Sequence, residues 1–283
     1  MKKILFVLLT ACSIGNISAQ NEKIKGNKIV TVERRTVGGF HTIELSENFK
    51  VTLQNSTENL VRVETDSNIQ DVIDVKVTDS VLKIRSNKKI KKSKTLNITI
   101  SYVQPIQKMI LQDKVEIKSA ALLETPKLHI ETNGDVEAFL SVKCEELFLI
   151  AGGKSHPEIH ANATKVTYQM NDGSELKGIT NAEECKIELY KKASAKLEGE
   201  INTLAVRAEN DTDFYGEKLS SQKTSLSAEG SSDCYILSTE EITIDANNKA
   251  EIYLLGSPKV IMNTFADQAI IYKKDLNYSP GLF

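Results

Sequence analysis

Two imidazoles and a carboxylate stand at alternate positions in His156-Pro157-Glu158-Ile159-His160. Alternate residues of a strand share a face, so His156, Glu158 and His160 would offer two ring nitrogens and a carboxylate to a metal ion. The spacing differs from H-E-x-x-H, which needs a helix. Pro157 also marks a distorted or edge segment. Solvated side chains on an outer face are the preferred reading of the trio, so the sequence is read as holding no metal and no cofactor, with this trio as the weak candidate set. Carboxylates recur at Asp135, Asp172, Asp211, Asp213 and Asp233. Paired acids can act as general acid and base in glycan cleavage, but turns use Asp to bond their own backbone. There is no Trp to stack on a sugar ring, which leaves that work to Tyr. The densest charge run is Lys88-Lys89-Ile90-Lys91-Lys92-Ser93-Lys94. Such runs commonly solvate a loop or hairpin end; contact with anionic lipid or surface polysaccharide is the functional alternative. Neither a Gly-rich phosphate loop nor a Ser/His/Asp constellation is found. The expectation is a non-catalytic chain, with a polysaccharide lyase or hydrolase as runner-up.

The elements that would position these residues follow from an internal repeat. Steps of 19 from Leu128 reach Leu147, Val166, Cys185, Leu204, Lys223 and Ile242, and one step back reaches Met109. Two residues on, the column reads Leu111, Ile130, Leu149, Tyr168, Ile187, Val206, Ser225 and Ile244. Apolar columns two residues apart describe one face of a short strand. The columns between them are mainly polar and face outward. Phe148 and Ile150 fall in those outward columns, so they form a candidate contact patch unless a loop or the C-terminal tail covers them. Gly134, Gly153, Asp172, Asn210 and Asn248 share a column that suits a left-handed corner. Past the corner, small residues recur at Ser155, Ser174, Ala193, Thr212, Ser231 and Ala250, and a second strand column holds Leu140, Ile159, Leu197, Tyr235 and Leu254. This is the pattern of an all-β, parallel β-helix (solenoid) whose coils bury a continuous inner column by stacking. Eight coils at ~4.8 Å each would give a stack of about 38 Å.

Residues 30–108 lack the repeat but alternate apolar and polar residues, as in Phe49 to Leu53 and Leu96 to Ile100, and are expected to form irregular first coils that cap the stack. The series Val37-Gly38-Gly39-Phe40-His41-Thr42-Ile43, Phe49-Lys50-Val51-Thr52-Leu53, Val61 to Glu64, Asn68, Ile73 and Val81-Leu82-Lys83-Ile84 resembles the head GIN domain family of auto-transporter adhesins from Bacteroidota. Gly256-Ser257-Pro258-Lys259-Val260 resembles the family's closing motif. The order of these weak motifs carries the resemblance, over about residues 30 to 275. It implies a right-handed β-helix and an exported protein, and carries over no catalytic residue. Gly-Asp turns are fewer here than the family pattern has, and the sequence shows no β-barrel translocator, which weighs against true auto-transport.

Met1-Lys2-Lys3 followed by apolar Ile4 to Leu9 reads as a secretory signal peptide, with Ile17-Ser18-Ala19 before Gln20 as the cleavage site. Leu9-Thr10-Ala11-Cys12 also fits a lipobox in which Cys12 is acylated; the short apolar stretch before it favours cleavage after Ala19. The organisation expected is signal peptide 1–19, linker 20–29, N-terminal β region 30–108, regular coils 109–260, and C-terminal cap and tail 261–283. A net charge of −2 argues against nucleic acid as a partner, and no apolar stretch is long enough for a transmembrane span. After export, Cys144, Cys185 and Cys234 remain, an odd set that the repeat keeps apart, so free thiols are expected. The function expected is an adhesin-like binding module in the periplasm, on the outer membrane surface or outside the cell. Its partner would be a glycan, an envelope protein or another copy of the chain; an accessory role in envelope signalling is the third reading.

Overall fold

The computed structural model describes residues 22–277. Cys12 and the Ala19–Gln20 junction lie outside the described residues. The chain is about 70% strand and 2% helix, wound into a parallel β-solenoid of about 9 turns, one more than the repeat suggested.

The N-terminal region contains β1 (Lys23–Lys25), β2 (Val30–Thr36), β3 (Thr42–Leu45), β4 (Lys50–Asn55) and β5 (Leu60–Asp66). The short α1 (Ser67–Gln70) is followed by β6 (Ile73–Thr78), β7 (Val81–Ser86), β8 (Lys89–Lys92) and β9 (Leu96–Tyr102). Among the described residues antiparallel pairing is confined here: β5 lies between β2 and β9, and β6 pairs β7. From β3 and β4 onward the ladders are parallel, β3 to β10 (Lys108–Asp113) and β4 to β11 (Glu116–Ser119). Asp66 is fully buried and ties this cap together. Its carboxylate accepts from the backbone N–H of Lys28 and, at 2.6 Å, from that of Lys94. The lysine run thus folds back as β8, a small parallel pair with β1.

After β12 (Leu123–Glu124) and β13 (Lys127–Gly134) the long strands stack as β14 (Glu137–Gly153), β15 (His156–Met170), β16 (Glu175–Leu189), β17 (Ser194–Ala208), β18 (Asp213–Ala228) and β19 (Asp233–Ala246). β20 (Glu251–Leu255), β21 (Lys259–Phe265) and β22 (Ile270–Lys273) continue the winding. Leu147, Val166, Cys185 and Leu204 are direct neighbours along the stack, as the 19-residue step requires. Leu149, Tyr168 and Ile187 fill the next inner column at 0% exposure, and the Tyr168 hydroxyl lies 3.1 Å from Thr180 Oγ1.

The step fails in two places. Met109 lies beside Ile130, not in the column of Leu128, so that coil takes 21 residues. The added length falls between β11 and β12: Lys118 pairs Phe139 at a step of 21, whereas Leu123 pairs Val142 at 19. Farther on, Leu204 pairs Thr224, and Thr224 pairs Ile242, so steps of 20 and 18 replace two of 19. The register shifts near Glu217, where β18 carries extra residues that its neighbours do not match. Thr224 and Leu226 are therefore inward, and Lys223 and Ser225 are outward. Likewise Ser232, not Ser231, follows Thr212 in the buried corner column, and Ile236, not Tyr235, takes the inner position of the second strand.

Cys144, Cys185 and Cys234 are free thiols. Burial pushes the Cys185 thiol up to about 12 and that of Cys144 to about 11, so both stay protonated and unreactive near neutrality.

Candidate functional site

At one corner of the stack, successive coils turn through left-handed residues: Gly134 (φ 107°), Gly153 (φ 69°), Asp172 (φ 61°) and Lys191 (φ 67°). A Cβ on Gly134 would stand 2.6 Å from the Asp113 carbonyl oxygen, so the corner admits no side chain there. The Asp172 carboxylate pairs Lys191 Nζ and accepts from the Gly153 N–H at 3.3 Å. The Lys191 bond, then the Gly153 bond, hold the Asp172 carboxyl below its usual range. Lys114 and Asp135 form a similar pair at 2.7 Å farther along the stack.

Beside this corner the outward strand face holds a recess of about 480 Å³, lined by Ile110, Asn133, Ile150, Gly152, Asn171 and Asp172 among others. Gly152 makes the notch: it stands in the outward column between Asn133 and Asn171, where a Cβ would lie 3.6 Å from Asn133 Oδ1 and 3.7 Å from Asp172 Oδ2. Amide groups, the Glu131 and Asp172 carboxylates and the Lys191 ammonium therefore surround a gap with aliphatic walls. That combination hydrogen-bonds hydroxyls while packing against C–H groups, which is what a polyhydroxylated ligand requires. A second recess, of about 750 Å³, lies around Glu47, Lys89, Asp113, Lys114, Asp135 and Lys154, across the same Gly134 and Gly153 corner.

Phe148 and Ile150 are half-buried on the outer face. The His129 ring meets Phe148 edge-on at 4.9 Å, and Ile150 lines the recess, so the two patch residues belong to one surface. His156, Glu158 and His160 lie on the outer face of β15 and do not converge: His156 Nε2 reaches Glu175 at 3.9 Å, while His160 Nε2 reaches Glu158 at 3.5 Å. Among the described residues no group of three or more His, Cys, Asp or Glu could hold a metal ion.

The acids near the C-terminal corner do converge. Asp213, Asp233 and Glu251 are in-register neighbours along the outer face. Burial, then Asp213 and Glu251, push the Asp233 carboxyl up to about 6. Two residues on, Tyr215, Tyr235, Tyr253 and Tyr272 stack with centroid separations of 5.3, 4.3 and 5.1 Å. Lys274 Nζ stands 5.3 Å from the ring centroids of both Tyr253 and Tyr272. The sequence columns missed this ladder because its steps are 20, 18 and 19. The recess left a fainter mark, Gly152 between two Asn at 19-residue steps in an otherwise polar column.

A parallel β-solenoid with recessed lateral faces is the class this geometry defines. The family model described as "Putative auto-transporter adhesin, head GIN domain" matches residues 39–179 and 149–258. The chain belongs to that family. Its fold is similar to a crystal structure of a putative adhesin from Parabacteroides merdae, at TM-score 0.63 and 14% identity over 88% of this chain and 98% of that one. A putative adhesin from Parabacteroides distasonis gives TM-score 0.60 at 17% identity, covering 88% and 99%. A structure titled a putative lipid binding protein, also from Parabacteroides distasonis, gives 0.57 at 13%, covering 88% and 98%. No curated protein matches the chain. Among the described residues no helix is long and apolar enough to cross a membrane.

Proposed function

We propose that this chain is an exported, non-catalytic, adhesin-like module that binds a glycan in the corner recess. The observation that carries the reading is the Gly152 notch, an open position flanked by Asn133, Asn171 and Asp172 on a rigid strand face. Family membership supports a binding role. In this reading residues 1–19 direct export, by cleavage between Ala19 and Gln20, with acylation of Cys12 as the alternative. The protein then works in the periplasm or at the cell surface.

The test is binding of the purified chain to an array of envelope and host polysaccharides, with lipid headgroups as a second panel. Gly152 does not adopt a left-handed conformation, so Gly152→Leu fills the notch without backbone strain. It should weaken binding by about tenfold or more with the melting temperature little changed, since a blocked notch costs at least the ~1.4 kcal/mol that tenfold represents. Binding that survives the substitution, or that appears only on lipids or envelope proteins, sinks the reading.

The second reading, a carbohydrate-active enzyme, rests on the Asp213, Asp233 and Glu251 column with its raised carboxyl. Soluble polysaccharides cleaved by the chain and spared by Asp233→Asn would install it.

A further inference from the structure

Among the described residues the last coil leaves the solenoid's interior open. Val260 and Met262 continue the columns of Ile242 and Ile244, yet are 40% and 50% exposed where those two are 0%. Phe265 and Ile270 are exposed in the same coil. Among the described residues β21 pairs only with β19, and β22 only with β20, so their outer edges have backbone groups with no ladder partner. Natural proteins blunt such edges with charge, proline or a covering element. β21 has neither proline nor a charged residue from Val260 to Phe265. The opposite end of the stack is blunted: its edge strand β2 carries Glu33, Arg34 and Arg35, and β6 carries Asp74 and Lys76.

We infer that two copies of this chain associate tail to tail, β21 pairing antiparallel with β21 of its partner across a two-fold axis near Met262. Three arguments select a second copy. Antiparallel pairing centred on Met262 sets Lys259 opposite Phe265 and leaves no like charges facing. The charged opposite end disfavours head-to-tail stacking, so the contact closes as a dimer rather than running on as a fibre. Strands of this length on two sheets about 10 Å apart, with their outer side chains, present an end of roughly 500 Å². Two such ends bury about 1,000 Å², the lower bound for a specific interface. The inference is independent of the ligand taken by the corner recess.

Sedimentation velocity of the full chain between about 1 and 100 µM should show twice the monomer mass at the upper end, a range set by the modest interface. Met262→Lys should return a monomer with an unchanged circular dichroism spectrum. Phe139→Lys, which removes an exposed aromatic from the lateral face, should remain a dimer. Should Met262→Lys fail to fold, Met262→Cys supplies the readout: two such thiols beside the axis should give a covalent dimer on mild oxidation. A chain monomeric throughout, or a dimer indifferent to Met262→Lys, overturns the inference. So does a chain that dimerises only after removal of residues 278–283, because its own tail is then the cover.

Discussion

At the scale of single residues, the corners read directly from the sequence and the strand glycines did not. Gly134, Gly153, Asp172, Asn210 and Asn248 share a column of left-handed formers, and all have positive φ. Gly178 and Gly199 lie inside strands, where one sequence offers nothing to separate a constrained glycine from a tolerated one. Gly178 has φ 151°, and a Cβ there would stand 1.8 Å from the Ile159 carbonyl oxygen. Gly178→Ala is expected to cost about 3 kcal/mol or more, because backbone must move. Gly173→Ala meets its nearest atom at 3.7 Å and should cost less than about 1 kcal/mol. Urea unfolding of the two variants measures the contrast, and equal losses would refute it. Asp233 gives a residue-scale pH effect. Its folded carboxyl sits at about 6, above the unfolded value. The stability it contributes is therefore full below the unfolded value and is lost as pH rises through about 6. Asp233→Asn should raise the melting temperature at pH 7.5 and flatten its dependence between about pH 4 and 6. A variant with the wild-type slope would show that other groups set it.

At the scale of elements, the inner and outer faces of β14 to β17 were legible because apolar columns recur at a constant step. Legibility ended where the step changed. In β18 the register moves by one residue, and a one-residue slip exchanges the two faces of a strand. Lys223 and Ser225, the polar residues in otherwise apolar columns, were the visible sign of that slip. The same slip separated Tyr235 from Tyr215 and Tyr253, and so hid a ladder that lies in plain register once the strands are paired. Tyr235 stacks on both neighbours and is 8% exposed. Tyr235→Ala should cost about 3 kcal/mol, combining lost burial with lost ring contacts. Tyr272, more exposed in the last strand, should cost roughly 1 kcal/mol by the same reasoning. Chemical denaturation of both variants tests the order, and a larger loss at Tyr272 would contradict it.

At the scale of the molecule, the asymmetry of the two ends governs how the chain opens. A solenoid is held by contacts between adjacent coils, so a coil with one neighbour is weaker than a coil with two. The N-terminal end is reinforced: β5 is bonded on both sides, and buried Asp66 anchors the segments at Lys28 and Lys94. Among the described residues the C-terminal end has only β21 and β22, whose outer edges are open and whose apolar side chains stay largely in water. Local opening should therefore start at β21 and β22 and travel toward β14, while β4 and β9 exchange last. Hydrogen–deuterium exchange measured by peptide should show this gradient in dilute protein. Asp66→Ala removes the buried acceptor of the Lys28 and Lys94 N–H groups at a cost of about 2 kcal/mol, and should loosen β1, β8 and β9 without altering β19. In concentrated protein the tail-to-tail contact adds a partner to β21, so its exchange alone should slow. A gradient running the other way would mean that the open end is not the weak one. Uniform exchange along the stack would mean that the coils open together rather than from the end.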